Sequence, residues 1–215
     1  MTIDLGVLYR GARERITTLV AAGDVPDALV VPATPDWTVH DVVAHVVGVA
    51  EDAATGNMAG APGDAWTAAQ VARGAGGTIS ELLAGWAQHG PALEGFLSGP
   101  GGGMAAAAAM DVHCHEADLR HALGLPSAPP AEFLAWAGPS MRDRFEAQVA
   151  EAGLRPLALE ISDLEWFRGR LGRRTEAEVA AYPWPVAAEP YLDLFFIFGR
   201  AATSLGETGQ SGDAT

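Results

Sequence analysis

With 215 residues, 49% of them hydrophobic and 19% charged, the chain is long enough for one domain with a substantial core, or for one domain plus a small appendage. Its formal net charge of −14 argues against nucleic acid and anionic membrane surfaces as partners, because the summed field repels polyanions. The single Cys114 excludes an internal disulfide and a four-cysteine zinc site, and the absence of any lysine excludes Schiff-base chemistry.

Residues 4–22 set Leu5, Leu8, Ile16, Leu19 and Val20 among Arg10, Arg13 and Arg15, the pattern of an amphipathic first helix ending near Gly23. Three prolines make Val25–Trp37 read as a loop. Thr38 then offers an N-cap, and Asp41 completes a capping-box-like pair. Val39, Val42, Val43, Val46 and Val47 form the buried stripe of a second helix, with His45 at its edge. So many β-branched residues leave a strand as an alternative; the cap and the lack of period-two alternation favour helix. Asn57–Gly63 reads as a connection, Ala65–Ala72 as a short helix and Ile79–Leu97 as a longer one, capped by Ser80 or Thr78. Leu82, Leu83, Trp86, Leu93, Phe96 and Leu97 are its expected core residues.

After the glycine break Gly99–Gly103, a fourth long helix covers Met104–Leu123 and is closed by Gly124 and Pro126. Four long helices joined by loops suggest an antiparallel bundle. A further helix spans Ala131–Glu151. Leu157–Ile161 reads as a short strand, Asp163–Leu171 as an arginine-rich helix, Thr175–Ala181 and Tyr191–Phe198 as the last two helices. The expected organisation is mainly α: a helical bundle over 1–152, a small α(+β) appendage over 153–205, and a disordered Gly/Ser/Asp-rich tail over 206–215. No apolar run is long enough to span a bilayer, and no basic region followed by an apolar one opens the chain, so the expected location is the cytoplasm.

Asp111 and His115 are four apart, so they share one helical face. With His45 from the second helix they make a three-ligand set, two imidazoles and one carboxylate, suited to zinc or another divalent first-row metal. Three protein ligands leave a coordination position for water or substrate, as catalytic sites do. The plainer reading stands beside this one and is favoured by the pattern alone: an Asp–His pair one turn apart is commonly just hydrogen-bonded, and a histidine beside an apolar stripe is commonly a core residue. His113 and Cys114 lie about 200° and 100° around the helix from His115 and cannot join the same site. Cys114 reads as a small buried hydrophobe, His40 and His121 as surface residues. Asp118 is either an acceptor orienting an imidazole or the partner of an arginine such as Arg120 or Arg144.

Arg168, Arg170, Arg173 and Arg174 concentrate positive charge in an acidic chain. Arg168, Arg173 and Arg174 are candidates for holding an anionic group of substrate or cofactor. Pairing with surface carboxylates is the alternative.

Three stretches together resemble a known family. VPATPDWTVHDVVAHVVGV (Val31–Val49), DVHCHEADLRHALG (Asp111–Gly124) and WFRGRLGRRTEAEVAAYPW (Trp166–Trp184) are similar, in order, to signatures of the mycothiol-dependent maleylpyruvate isomerase relatives. The resemblance spans most of the chain. It implies a DinB-like four-helix bundle with a small C-terminal appendage, and a divalent metal, zinc in the isomerase, held by His45, Asp111 and His115. It further implies mycothiol as the thiol cofactor, a small electrophilic substrate, and an isomerase or S-transferase activity of an actinobacterial, cytoplasmic protein. Bundle faces offer a route to a homodimer. Two positions depart from the pattern. Asp111 stands where the isomerase has glutamate, and Glu178 where it has glutamine. The C-terminal part is also shorter, so substrate identity does not transfer. The Asp111 departure motivates the alternative reading, a non-catalytic DinB-like binding or assembly protein with a degenerate metal site.

Overall fold

The computed structural model describes residues 3–21 and 25–206, which carry nine α-helices and one two-stranded sheet; the chain is mainly α. It divides into two compact units, Met1–Ser127 and Ala128–Thr215. Among the described residues, no helix is long and apolar enough to cross a membrane.

The first unit holds α1 (Leu5–Ala21), α2 (Val39–Thr55), α3 (Asp64–Gly74), α4 (Ile79–Ser98) and α5 (Ala106–Ala122). The helices start where the sequence supplies caps. Thr38 accepts from the Asp41 amide while Asp41 returns a bond to the Thr38 amide, and Thr78 with Glu81 repeats the device on α4. Of the two caps considered for α4, Thr78 is therefore the one used. A 3₁₀ turn, Gly102–Ala105, precedes α5, so the helix begins two residues later than the Met104 read from the sequence.

The four long helices pack α1 on α4 and α5, and α2 on α4 and α5. Their directions are mixed, which corrects the expectation of a uniformly antiparallel bundle. α1 and α4 oppose each other: Gly6 meets Glu94 and Ser98, while Gly90 meets Arg13. α2 and α4 run the same way, with His40 bonded to the Gly77 carbonyl and Val47 beside Gly85. The reason is α3, which runs back along α2 and returns the chain to the end where α2 began.

The core of this unit is Tyr9, Ala12, Ile16, Val42, Val43, Trp86 and Leu119, all essentially inaccessible. Trp86 Nε1 donates to the Tyr9 hydroxyl at 3.0 Å, so the largest buried ring keeps its polar atom satisfied. Phe96, expected in the core, is 48% exposed.

The stretch Val25–Trp37 is not simply a loop. Val30–Val31 (β1) and Thr34–Thr38 (β2) pair antiparallel. Pro32 and Pro35 disguise this hairpin, but a two-stranded sheet consists of edges, where a missing amide donor is tolerated. The hairpin delivers Trp37 to the start of α2.

The second unit contains α6 (Ala131–Glu151), α7 (Asp163–Arg170), α8 (Glu176–Ala180) and α9 (Glu189–Phe195). The sequence reading drew the boundary after α6, at 152/153; α6 instead packs on α7 and α9. Phe145, Trp166, Trp184 and Phe195 form the aromatic core there, each in ring contact with Phe145 or Phe195. The strand expected over Leu157–Ile161 does not form. A strand needs a ladder partner, and the segment finds none among the described residues. The end of the expected tail, residues 207–215, and the expected helix end at Gly23 lie outside the described residues.

Candidate metal centre

Three side chains meet inside the first unit. His45 comes from the middle of α2; Asp111 and His115 come from one face of α5, one turn apart. Each offers a donor atom, and the three donors lie within 4.8 Å of one another. Both imidazoles present Nε2 to the carboxylate. His45 Nε2 is 3.2 Å from Asp111 Oδ2, and His115 Nε2 is 3.4 Å from Asp111 Oδ1.

Those distances bear on both readings of the cluster. A charge-assisted N–H···O bond closes to about 2.7–2.9 Å. Both contacts are longer than that. Donors bound at about 2.0–2.1 Å to a tetrahedral zinc stand about 3.3–3.4 Å apart along each edge. The His45–Asp111 and His115–Asp111 separations fit two edges of a shared coordination polyhedron and also fit two ion pairs to one carboxylate. Asp111 is one methylene shorter than glutamate, yet its oxygens already sit at this spacing.

The opposite nitrogens face polar groups of the protein. His45 Nδ1 lies 2.8 Å from Gln70 Oε1 on α3. His115 Nδ1 lies 3.3 Å from Asp118 Oδ2, within ion-pair range but not aligned as a hydrogen bond. Asp118 is completely buried. Metal-bound histidines are oriented by such groups on their far nitrogen.

Exposure gives the site a direction. The His45 and His115 side chains are 6% and 7% exposed, whereas that of Asp111 is 34% exposed. The carboxylate thus lies on the solvent side of the cluster. Trp37, half-buried at the end of the hairpin, flanks both imidazoles with ring centroids 5.2 Å from His45 and 5.9 Å from His115. The two imidazoles stand edge to face at 5.1 Å.

The electrostatics favour a cation. Burial works against ionisation of Asp111, but the neighbouring His45 and His115 outweigh it and hold the carboxyl well below the usual carboxylate range. Burial likewise pulls the His115 imidazole down; Asp111 and Asp118 overcome this and push it up to about 9. A positive charge in this cluster, a proton or a metal ion, is what the paired carboxylates select.

The other residues singled out from the sequence divide. His113 bonds the Ala109 carbonyl of its own helix through Nδ1, at 2.8 Å, and does not join the triad. Cys114 is buried, as a small hydrophobe would be. His40 and His121 are half-buried rather than surface residues, and His40 Nε2 is bonded to the Gly77 carbonyl.

Arg168, Arg173 and Arg174 belong to the second unit. Arg168 and Arg174 are buried and Arg173 is half-buried. Arg174 gives Nε and NH2 to Glu165, at 2.9 and 2.7 Å, and NH1 to the Arg173 carbonyl. Its guanidinium is thus paired with Glu165, a largely buried carboxylate of the same unit rather than one of the surface carboxylates raised as the alternative. Arg173 donates NH1 to the Leu171 carbonyl. Arg170 is fully buried with its guanidinium over the Phe145 ring.

Sequence reasoning missed Gln70 and the position of Trp37 against the imidazoles. A signal for the former exists: His45, Gly48 and Asp52 follow each other at helical spacing, a polar stripe with a small residue in it, which announces a close polar neighbour.

Compared with known proteins, the chain matches no family model, no curated protein and no solved structure.

Proposed function

We propose that the first unit carries the metal centre of a mycothiol-using S-transferase or isomerase, acting on a small electrophilic molecule. The observation that carries this reading is the approach of two imidazole Nε2 atoms to one carboxylate at 3.2 and 3.4 Å, separations suited to a shared divalent cation. The resemblance of Val31–Val49 and Asp111–Gly124 to the mycothiol-dependent maleylpyruvate isomerase relatives supplies the thiol. Two imidazoles and one carboxylate fit zinc; with further open positions the same donor set suits ferrous iron.

A divalent cation in this centre supplies the Lewis acidity that keeps a thiol as its thiolate at neutral pH. The protein's own residues do the rest. His45 and His115 turn their Nε2 atoms toward the centre, and Asp111 provides negative charge on the solvent side. Asp118 places its negative charge 3.3 Å from His115 Nδ1, which favours a hydrogen on that nitrogen and leaves Nε2 turned toward the centre. Trp37 lays an apolar face beside both imidazoles, where it excludes water and gives an electrophile a surface to lie against. The reading rests on the first unit alone and places the reaction in the cytoplasm.

The test combines metal analysis with a mycothiol conjugation assay on the purified protein. One zinc per chain and thiol-dependent turnover are expected, both lost in His45→Ala and His115→Ala. Variants that keep full metal content and activity overturn the proposal. A protein that cannot be loaded with metal indicates instead a binding module with a degenerate site.

A further inference from the structure

We infer that Asp52 and Gln70 form a relay that fixes the tautomer of His45, making α3 a working part of the metal centre rather than a connector. The inference rests on the metal-centre reading above and deepens it.

The argument begins with Asp52. This carboxylate on α2 is 1% exposed, so burying it requires partners. It accepts from Asn57 Nδ2 at 2.8 Å, Arg73 NH2 at 2.7 Å and Gln70 Nε2 at 2.8 Å. An ionised carboxylate only accepts hydrogen bonds. The Gln70 amide must therefore turn its NH2 toward Asp52; the flipped orientation sets a carbonyl oxygen against a carboxylate.

That choice decides the other end. With NH2 on Asp52, Gln70 Oε1 faces His45 Nδ1, 2.8 Å away. An amide oxygen only accepts, so Nδ1 carries the hydrogen. In the neutral ring the lone pair then falls on Nε2, the nitrogen that points at Asp111. Charge at Asp52 is thus read out, through one amide, as a histidine ready to bind metal. The relay contains no group free to reverse it, because Arg73 and Asn57 hold Asp52 from the other side.

The packing is built for this contact. Gly48 lies between His45 and Asp52 on α2, and a Cβ there would come within 2.6 Å of Gln70 Cβ and 2.8 Å of Cγ. Glycine at this place lets the α3 backbone close on α2 until the amide bridges the two polar groups. Gln70 is itself 1% exposed, so no solvent competes for its bonds.

The test is long-range ¹H–¹⁵N NMR of the imidazole nitrogens in metal-free protein, paired with zinc affinity by chelator competition. Wherever the His45 ring is neutral, the wild type is expected to show it wholly as the Nδ1–H tautomer. Gln70→Leu is expected to release a mixture of tautomers and weaken zinc binding about 10- to 100-fold. Gln70→Glu keeps an acceptor for the Nδ1–H but opposes Asp52, so the repulsion is expected to open the α2–α3 contact and weaken zinc binding. The double variant Asp52→Asn/Gln70→Glu restores a donor–acceptor pair and is expected to recover both readouts, which a purely structural role does not predict. Finding the Nε2–H tautomer or a mixture in the wild type overturns the relay, with no variant needed. So does wild-type tautomer and zinc affinity in folded Gln70→Leu. If the wild type binds no zinc, the metal reading fails while the NMR result still decides the relay.

Discussion

Raising the pH separates the proton from the metal ion as occupant of this centre. In the metal-free protein the Asp111 and Asp118 carboxylates hold the His115 imidazole at about 9, against an ordinary value of 6.5. Raised from 6.5 to about 9, the group contributes about 3 kcal/mol to folding, at 1.4 kcal/mol per pK unit. The sign follows from the direction: a histidine with a raised folded-state pKa stabilises fully below pH 6.5, and that contribution is lost as pH climbs toward 9. Stability of the metal-free protein, from urea denaturation, is expected to fall across this window by about that amount. Zinc reverses the trend, because it binds only the neutral imidazole. Its apparent affinity is expected to rise by up to about tenfold per pH unit between pH 7 and 9, then level off. Chelator competition at fixed ionic strength reads the affinity. Opposite slopes for the metal-free and zinc-bound protein support the reasoning. A zinc affinity flat between pH 7 and 9 refutes it, since then no proton is displaced.

Other perturbations address single links. Asp111→Asn removes the shared carboxylate charge and is expected to weaken zinc binding at least 100-fold in the same competition assay, with the His115 imidazole titrating lower by NMR. Trp37 stands 5.2 Å from the His45 ring, so binding of Cu(II) or Co(II) is expected to quench tryptophan fluorescence, and Trp37→Phe to abolish most of the quenching while leaving the other five tryptophans. Thr38→Ala breaks the capping box of the helix that carries His45 and is expected to cost about 1 kcal/mol in chemical denaturation. Gly48→Ala forces α3 away from α2 and is expected to cost about 1–3 kcal/mol and to weaken zinc binding as well.

Much of this molecule is legible in its sequence, for reasons specific to each element. Thr38 with Asp41 is a local signal complete within four residues, so α2 begins where the sequence says. The same holds for α6, whose ends match the Ala131–Glu151 read from pattern alone. What resisted reading is non-local. The β1–β2 hairpin hides behind Pro32 and Pro35 because pairing at an edge relaxes the usual bar to proline. Phe96 follows the apolar period of α4 yet is exposed, since period fixes a face and not what covers it. In the centre, Asp111 and His115 announce each other by spacing, whereas nothing local joins either to His45. Gln70 carries no signal of its own among the alanines of α3; its meaning comes from Asp52 and His45 across the helix interface.

The most direct measurement is an anomalous difference map at the zinc edge from crystals of protein equilibrated with one equivalent of zinc. The account predicts one strong peak, within bonding distance of Nε2 of residues 45 and 115 and of an oxygen of residue 111. A map with no peak there, or with zinc bound only elsewhere on the protein, contradicts it.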